Sequence, residues 1–290
     1  MLAAIESGGT KFVCAVGDGP GRVLERVEIP TNSPAETFAR VRAFLDRYAP
    51  FDAIGVCAFG PVEIDPASPA YGSVLVTSKP GWEGASYVEA LGQYGAPIRI
   101  ESDVAGACLG EALHGAGQGA RVLAYVTVGT GIGAGVMHDG RILNGMGHFE
   151  MGHIPVSRVP GDEHAVSQCP VHVDCLEGLA SGPSIKTRWG KPLSAFDASH
   201  PGLAVEAAYL AQLCRTITLT HMPARIILGG GVMKTPGLIE AVRRDTRRSL
   251  GGYVASVGDG DLSDYITLPG LGDDAGITGA LLLARQALES

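Results

Sequence analysis

The stretch Glu6-Ser7-Gly8-Gly9-Thr10-Lys11 lies between two short apolar runs, residues 2–5 and 12–17. The runs read as strands and the hexapeptide as the turn of a hairpin. Consecutive glycines let backbone N–H groups approach an anion closely, and Thr10 and Lys11 add donors. The motif is not a Walker A loop, which needs a longer glycine spacing and a following helix. A second turn of the same kind, Gly129-Thr130-Gly131, separates strand-like residues 122–128 and 134–137. As a matched pair the two turns are suited to a triphosphate. Gly229-Gly230-Gly231, after a strand at 225–228, is a third such turn, placed to meet a nucleotide base or its α-phosphate.

Working outward, residues 23–29 read as a third strand and 35–48 as a helix, opened by Ser33-Pro34 as N-cap and first helical position. A buried strand at 53–58 runs into Phe59-Gly60-Pro61. Another at 98–101 runs into Ser102-Asp103, followed by a helix at 104–114. The order then restarts. Asp139-Gly140 is a hairpin dipeptide, 144–178 is rich in loop residues, and helices are expected at 183–189, 203–222 and 274–288. The run Gly115-Ala116-Gly117-Gln118-Gly119 marks a boundary. The expectation is an N-terminal α/β domain at 1–116 and a C-terminal α/β domain at 117–273, with a helix at 274–290 returning to the first. The two domains would flank a cleft.

Glycine supplies 42 of 290 residues, about twice the usual share, which fits many backbone-lined loops. The net charge of −8 gives no basis for a nucleic-acid partner or an acidic membrane surface. No apolar run reaches membrane-spanning length and no signal peptide is visible, so a cytoplasmic protein is expected. In that compartment the six cysteines should be thiols or metal ligands. Cys14, Cys57, Cys108 and Cys214 stand singly in apolar contexts and read as core.

Asp103 sits at a strand end, where open α/β sheets bind ligands, and a carboxylate there can take the proton of an attacking hydroxyl. Cys169, His172 and Cys175 are spaced three apart and need one more ligand for a Cys₂His₂ zinc set. His153 is the candidate, with His148 and His164 competing on proximity. Four protein ligands leave no open position, so the zinc would be structural and would pin the long loop. Glu150 and Glu177 flank these ligands and suit vicinal sugar hydroxyls.

Together these motifs resemble the ROK family of bacterial sugar kinases and related repressors, over nearly the whole chain. The resemblance implies an actin-like ATPase (ribonuclease H-like) fold, ATP with Mg²⁺, a structural Zn²⁺ and a homodimer. It implies Asp103 as catalytic base, Glu150, His153 and Glu177 at the sugar, and His153, Cys169, His172 and Cys175 at the zinc. Gly60, Pro61 and Ser102 join the substrate side. Gly8, Gly9, Thr10, Lys11, Gly129, Thr130, Gly131, Pro183, Gly229, Gly230, Gly231 and Met233 form the ATP side.

Glu6, the run Thr77-Ser78-Lys79-Pro80-Gly81-Trp82, the segment 169–189 and Leu271-Gly272-Asp273-Asp274-Ala275-Gly276 resemble the family's fructokinase branch. Trp82 is the candidate to stack on a sugar face. The chain departs from common family residues at Ser102, Ala105 and Phe149. The expected reaction is phosphorylation of D-fructose at its 6-hydroxyl. A kinase for mannose, glucose, allose or an amino sugar is the alternative, and a sugar sensor or repressor is the more distant one. A repressor would carry a helix-turn-helix ahead of a turn that here begins at Glu6.

Overall fold

The computed structural model describes residues 1–77, 79–258 and 260–289. Ser78, within the 77–82 run, and Ser290, at the end of the expected last helix, lie outside the described residues. In chain order the elements are β1 (Leu2–Ser7), β2 (Lys11–Gly19), β3 (Arg22–Pro30), α1 (Pro34–Leu45), β4 (Ala53–Ala58), α2 (Tyr87–Leu91), β5 (Ile98–Ser102), α3 (Asp103–His114), β6 (Val122–Val128), β7 (Ile132–His138), β8 (Arg141–Ile142), α4 (Leu176–Ala180), α5 (Gly182–Trp189), α6 (Pro201–His221), β9 (Arg225–Gly229), α7 (Leu238–Leu250), β10 (Ile266–Thr267) and α8 (Ala275–Leu288). They form two units. The first holds Met1–Gly115, Arg141–His148 and Asp273–Ser290, and the second Ala116–Gly140 and Phe149–Gly272.

In the first unit the sheet order is β3-β2-β1-β4-β5. β1 pairs antiparallel with β2, Ile5 opposite Cys14, and parallel with β4, Ile5 opposite Val56. The core gathers Ile5, Phe12, Phe38, Leu45, Ile54, Trp82 and Tyr87. The Ser33 side chain caps α1 by accepting from Glu36 N–H. The helix stops at Leu45, short of the expected 48, and residues 46–48 follow as a turn. α8 crosses α3 at glycines: a Cβ on Gly279 would lie 2.0 Å from the Gly106 carbonyl oxygen. No side chain fits that approach, so these glycines are packing residues. The segment Arg141–His148, set by the sequence reading in the second half, belongs here. Asn144 donates to Glu101 Oε2 at 3.0 Å, and His148 Nε2 accepts from Val62 N–H at 3.1 Å.

The second sheet repeats the theme with the order β10-β9-β6-β7-β8. β6 and β7 form the hairpin, Val128 opposite Ile132, and β9 runs parallel to β6, Val126 beside Leu228. Thus β2-β1-β4 and β7-β6-β9 are equivalent triplets, each an antiparallel hairpin with a parallel strand on its other side. Both hairpin turns have three residues, 8–10 and 129–131. Asp139 and Gly140 both take positive φ, 48° and 77°, as a type I′ turn needs. α7, α4, α2 and β10 were not anticipated. In α7 the buried Leu238, Val242, Thr246 and Leu250 recur every four residues among arginines, a helical stripe thin enough to be overlooked. Among the described residues, no helix is long and apolar enough to cross a membrane.

Candidate active site

The first hairpin turn is shaped from below. Ser7, buried at the end of β1, shares a 2.6 Å hydrogen bond with the Tyr87 hydroxyl and accepts from Phe59 N–H at 3.0 Å. One hydroxyl therefore ties the base of the phosphate-type turn to the start of the Phe59-Gly60-Pro61 loop. Strand alternation, which turns Ser7 inward, is the signal that could have found it. Gly8 N–H closes the turn on the Lys11 carbonyl at 2.9 Å, and no atom lies within 4 Å of where a Gly9 Cβ would stand. Lys11 itself pairs with Glu28 at 2.6 Å on the surface.

Asp103 is the first residue of α3, half-buried, with Oδ1 accepting from Val104 N–H at 2.8 Å. Glu6 lies close to it. Burial foremost, and then the Asp103 charge, push the Glu6 carboxyl up to about 7. Glu6 Oε2 is buried without a hydrogen-bond partner. Gly276 makes room for this longer acid, since a Cβ there would stand 2.4 Å from Oε1.

Two substrate-side expectations need correction. Ser102 is buried and its hydroxyl caps α3, accepting from Ala105 N–H at 3.3 Å. Trp82 is 0% exposed. Its rings pack on Phe12, Phe38 and Phe59 at centroid distances of 5.5, 5.5 and 5.1 Å, and Nε1 donates to the Asn32 carbonyl. Its faces are consumed by core. Gly60 and Pro61 stand in the loop after β4, where Val62 N–H is held by His148.

In the second unit Gly129 N–H closes its turn on the Gly131 carbonyl at 2.8 Å, and Gly182 N–H, opening α5, donates to the Gly129 carbonyl at 2.8 Å. Pro183 follows, exposed in the first turn of α5. Gly230 has φ +89° and passes so close to Val128 that a Cβ would stand 2.4 Å from its carbonyl oxygen. The Gly229-Gly230-Gly231 turn thus lies directly on the end of β6. Met233 is a correction: it is buried in the core of this unit and offers a ligand no side chain.

His153, Cys169, His172 and Cys175 come together, their donor atoms all within 4.8 Å of one another. His153 Nδ1 lies 3.6 Å from Cys175 Sγ and 3.8 Å from Cys169 Sγ, and His172 Nδ1 lies 3.6 Å from Cys169 Sγ. A tetrahedral zinc with ordinary Zn–S and Zn–N lengths has S···N edges of about 3.6 Å, so the set fits that ion. His148 and His164 are not part of the group. The opposite edge of the His153 ring, Nε2, faces Glu177 Oε1 at 3.8 Å. Partial burial pushes the Glu150 carboxyl up, Glu177 adds to this and His153 opposes it, so the three residues share one field.

Two hairpin turns on equivalent strand triplets, each in a unit that alternates strand and helix, define the actin-like ATPase class of fold. Solved structures agree: the ROK hexokinase of Thermus thermophilus matches with a TM-score of 0.79 and 26% identity, covering 99% of both chains. The sequence profile of the ROK family matches residues 2–287, and this chain belongs to that family. A fructokinase of Pediococcus pentosaceus is 41% identical over 291 residues, covering 100% of this chain and 99% of the relative. The fructokinase of Zymomonas mobilis subsp. mobilis is 40% identical over 296 residues, covering 99% and 97%.

Proposed function

We propose that this chain is a fructokinase, transferring the γ-phosphoryl group of ATP to the 6-hydroxyl of D-fructose to give fructose 6-phosphate and ADP. The observation that carries this is the full-length identity of about two residues in five with fructokinases. Phosphoryl transfer needs mainly positioning and charge neutralisation from the protein. Asp103 accepts the proton of the sugar hydroxyl. Gly8 and Gly129 close the two turns, the N–H groups of Gly9, Thr130 and Gly131 take phosphate oxygens, and the 229–231 turn serves the nucleotide. Glu150, His153 and Glu177 take sugar hydroxyls.

A hard divalent cation takes oxygen ligands and keeps several waters, and Glu6 with its unpartnered Oε2 is the donor that fits magnesium. Magnesium bound there would neutralise charge on the phosphates. Zinc on His153, Cys169, His172 and Cys175 is structural, and it would fix the His153 ring so that Nε2 faces the sugar side. Six free cysteines agree with a reducing, cytoplasmic setting, and the family resemblance supports a homodimer, which sedimentation would test.

A coupled ADP-release assay across fructose, mannose, glucose, allose and amino sugars tests the substrate. Fructose should give the highest kcat/KM, and a clear preference for another hexose would replace it. That alternative draws on Ser102, Ala105 and Phe149, where the chain leaves the common family pattern.

A further inference from the structure

The Thr77–Trp82 run, legible in sequence as one substrate-side motif, does two separate things. Trp82 is core. Lys79 reaches the first hairpin turn: its Nζ donates to the Gly9 carbonyl at 2.6 Å and to the Thr31 carbonyl at 3.4 Å. Thr31 grips the same turn, its hydroxyl donating to the Gly8 carbonyl at 2.7 Å and its N–H to the Thr10 carbonyl at 2.9 Å. Lys11, the lysine within the turn, is occupied by Glu28, and both side chains are about half exposed. The cation seated on the glycines is therefore supplied by another loop.

An ammonium carries three N–H donors, and two of those on Lys79 go to carbonyls. Beside this turn stand two carboxyl groups, Glu6 and Asp103, in a chain of net charge −8. A transferring phosphoryl group builds charge on its outer oxygens and needs a local, preorganised cation. Gly9 leaves its side of the turn open for the anion.

We infer that Lys79 contacts the terminal phosphate of the nucleotide, donating its third N–H to the phosphoryl group in transit. This rests on the reading that the 8–11 turn holds phosphate. In the step the bond from the γ-phosphorus to the β–γ bridging oxygen breaks and a bond to the sugar 6-oxygen forms. The hydroxyl proton goes to Asp103, and Lys79 keeps its own.

The test compares the full chain with Lys79→Met and Lys79→Arg, by calorimetric binding of magnesium-loaded ADP and of a non-hydrolysable imido analogue of ATP. Loss of a terminal-phosphate contact should weaken the analogue about tenfold in Lys79→Met while leaving ADP within about twofold. It should also lower kcat about 100-fold, and Lys79→Arg should keep most of the discrimination. Equal weakening of both nucleotides would make Lys79 a staple of the turn and overturn the assignment, as would no change in either. Wild-type protein that bound neither nucleotide would overturn the phosphate reading of the turn, and Lys79 with it.

Discussion

Glu177 Oε2 accepts the backbone N–H of Ile132 at 2.8 Å, at the foot of the 129–131 turn. Its other oxygen faces His153 Nε2 at 3.8 Å. One carboxylate thus joins the second hairpin turn to the imidazole whose far nitrogen faces two thiols. Glu177→Ala leaves the Ile132 N–H without its partner, a loss of about 1–3 kcal/mol. The expected outcome in steady-state kinetics is a rise of about fivefold or more in KM for ATP as well as for fructose. Gly131→Ala should act on the same contact from the other side, since its Cβ would stand 2.7 Å from Oε2. The double variant should be non-additive by about 1 kcal/mol. Additive effects, or a KM change confined to fructose, would show that Glu177 serves the sugar alone.

Asp103→Asn keeps the size and the helix-opening position of the residue and removes its ability to take a proton. It should fold with unchanged circular dichroism and still bind nucleotide. Its kcat should fall about 100- to 10,000-fold. Residual turnover within tenfold of wild type would remove Asp103 from the role of base.

Metal analysis of the purified chain should return close to one zinc per polypeptide. Cys175 also caps α4, its Sγ accepting from Gly178 N–H at 3.3 Å, so the ion would organise the helix that carries Glu177. Strong chelation should therefore lower the unfolding midpoint and raise KM for fructose before it affects nucleotide affinity. Metal-free protein with unchanged midpoint and unchanged KM would contradict this coupling.

Trp82 provides a contrast between core and site. Trp82→Ala should cost about 3–5 kcal/mol of stability, as large core truncations do. Trp82→Phe should retain most of that and leave KM for fructose within about twofold, because neither ring face is open to a ligand. A tenfold rise in KM for Trp82→Phe with unchanged stability would return Trp82 to the sugar.

These cases show where sequence is informative. The two hairpin turns were legible because glycine pairs between apolar runs have few other uses, and the Cys₂His₂ group because spacing and donor chemistry restrict one another. Ser102 and Trp82 were misread because a hydroxyl and an indole serve core and ligand equally well, and only burial separates the uses. Lys79 was hidden for a different reason. Its partner is a backbone carbonyl 70 residues away, and backbone partners leave no trace in residue identity. Arg141–His148 clusters with the first unit, and chain order says nothing of a segment that returns.

Glu206 sets a pH dependence away from the site. It is 1% exposed in α6, with neither carboxyl oxygen hydrogen-bonded. Burial drives its carboxyl well above the ordinary value of 4.5, Arg188 opposes this, and Asp162 adds to it. Arg188 is already paired with Asp162 at 2.6 Å, and Asp162 also accepts from the Tyr209 hydroxyl at 2.7 Å, so the neighbouring cation is shared. The folded state therefore holds Glu206 protonated at pH values where the unfolded chain has lost that proton. The resulting stability is full below the unfolded value near 4.5 and declines as pH rises toward the folded one, by about 1.4 kcal/mol per pH unit for a single proton. Glu206→Gln is neutral at every pH and should flatten this slope, gaining on wild type in urea midpoints as pH is raised from 5 to about 8. Parallel curves for the two proteins over that range would mean that Glu206 is ionised in the folded state and that Arg188 compensates it.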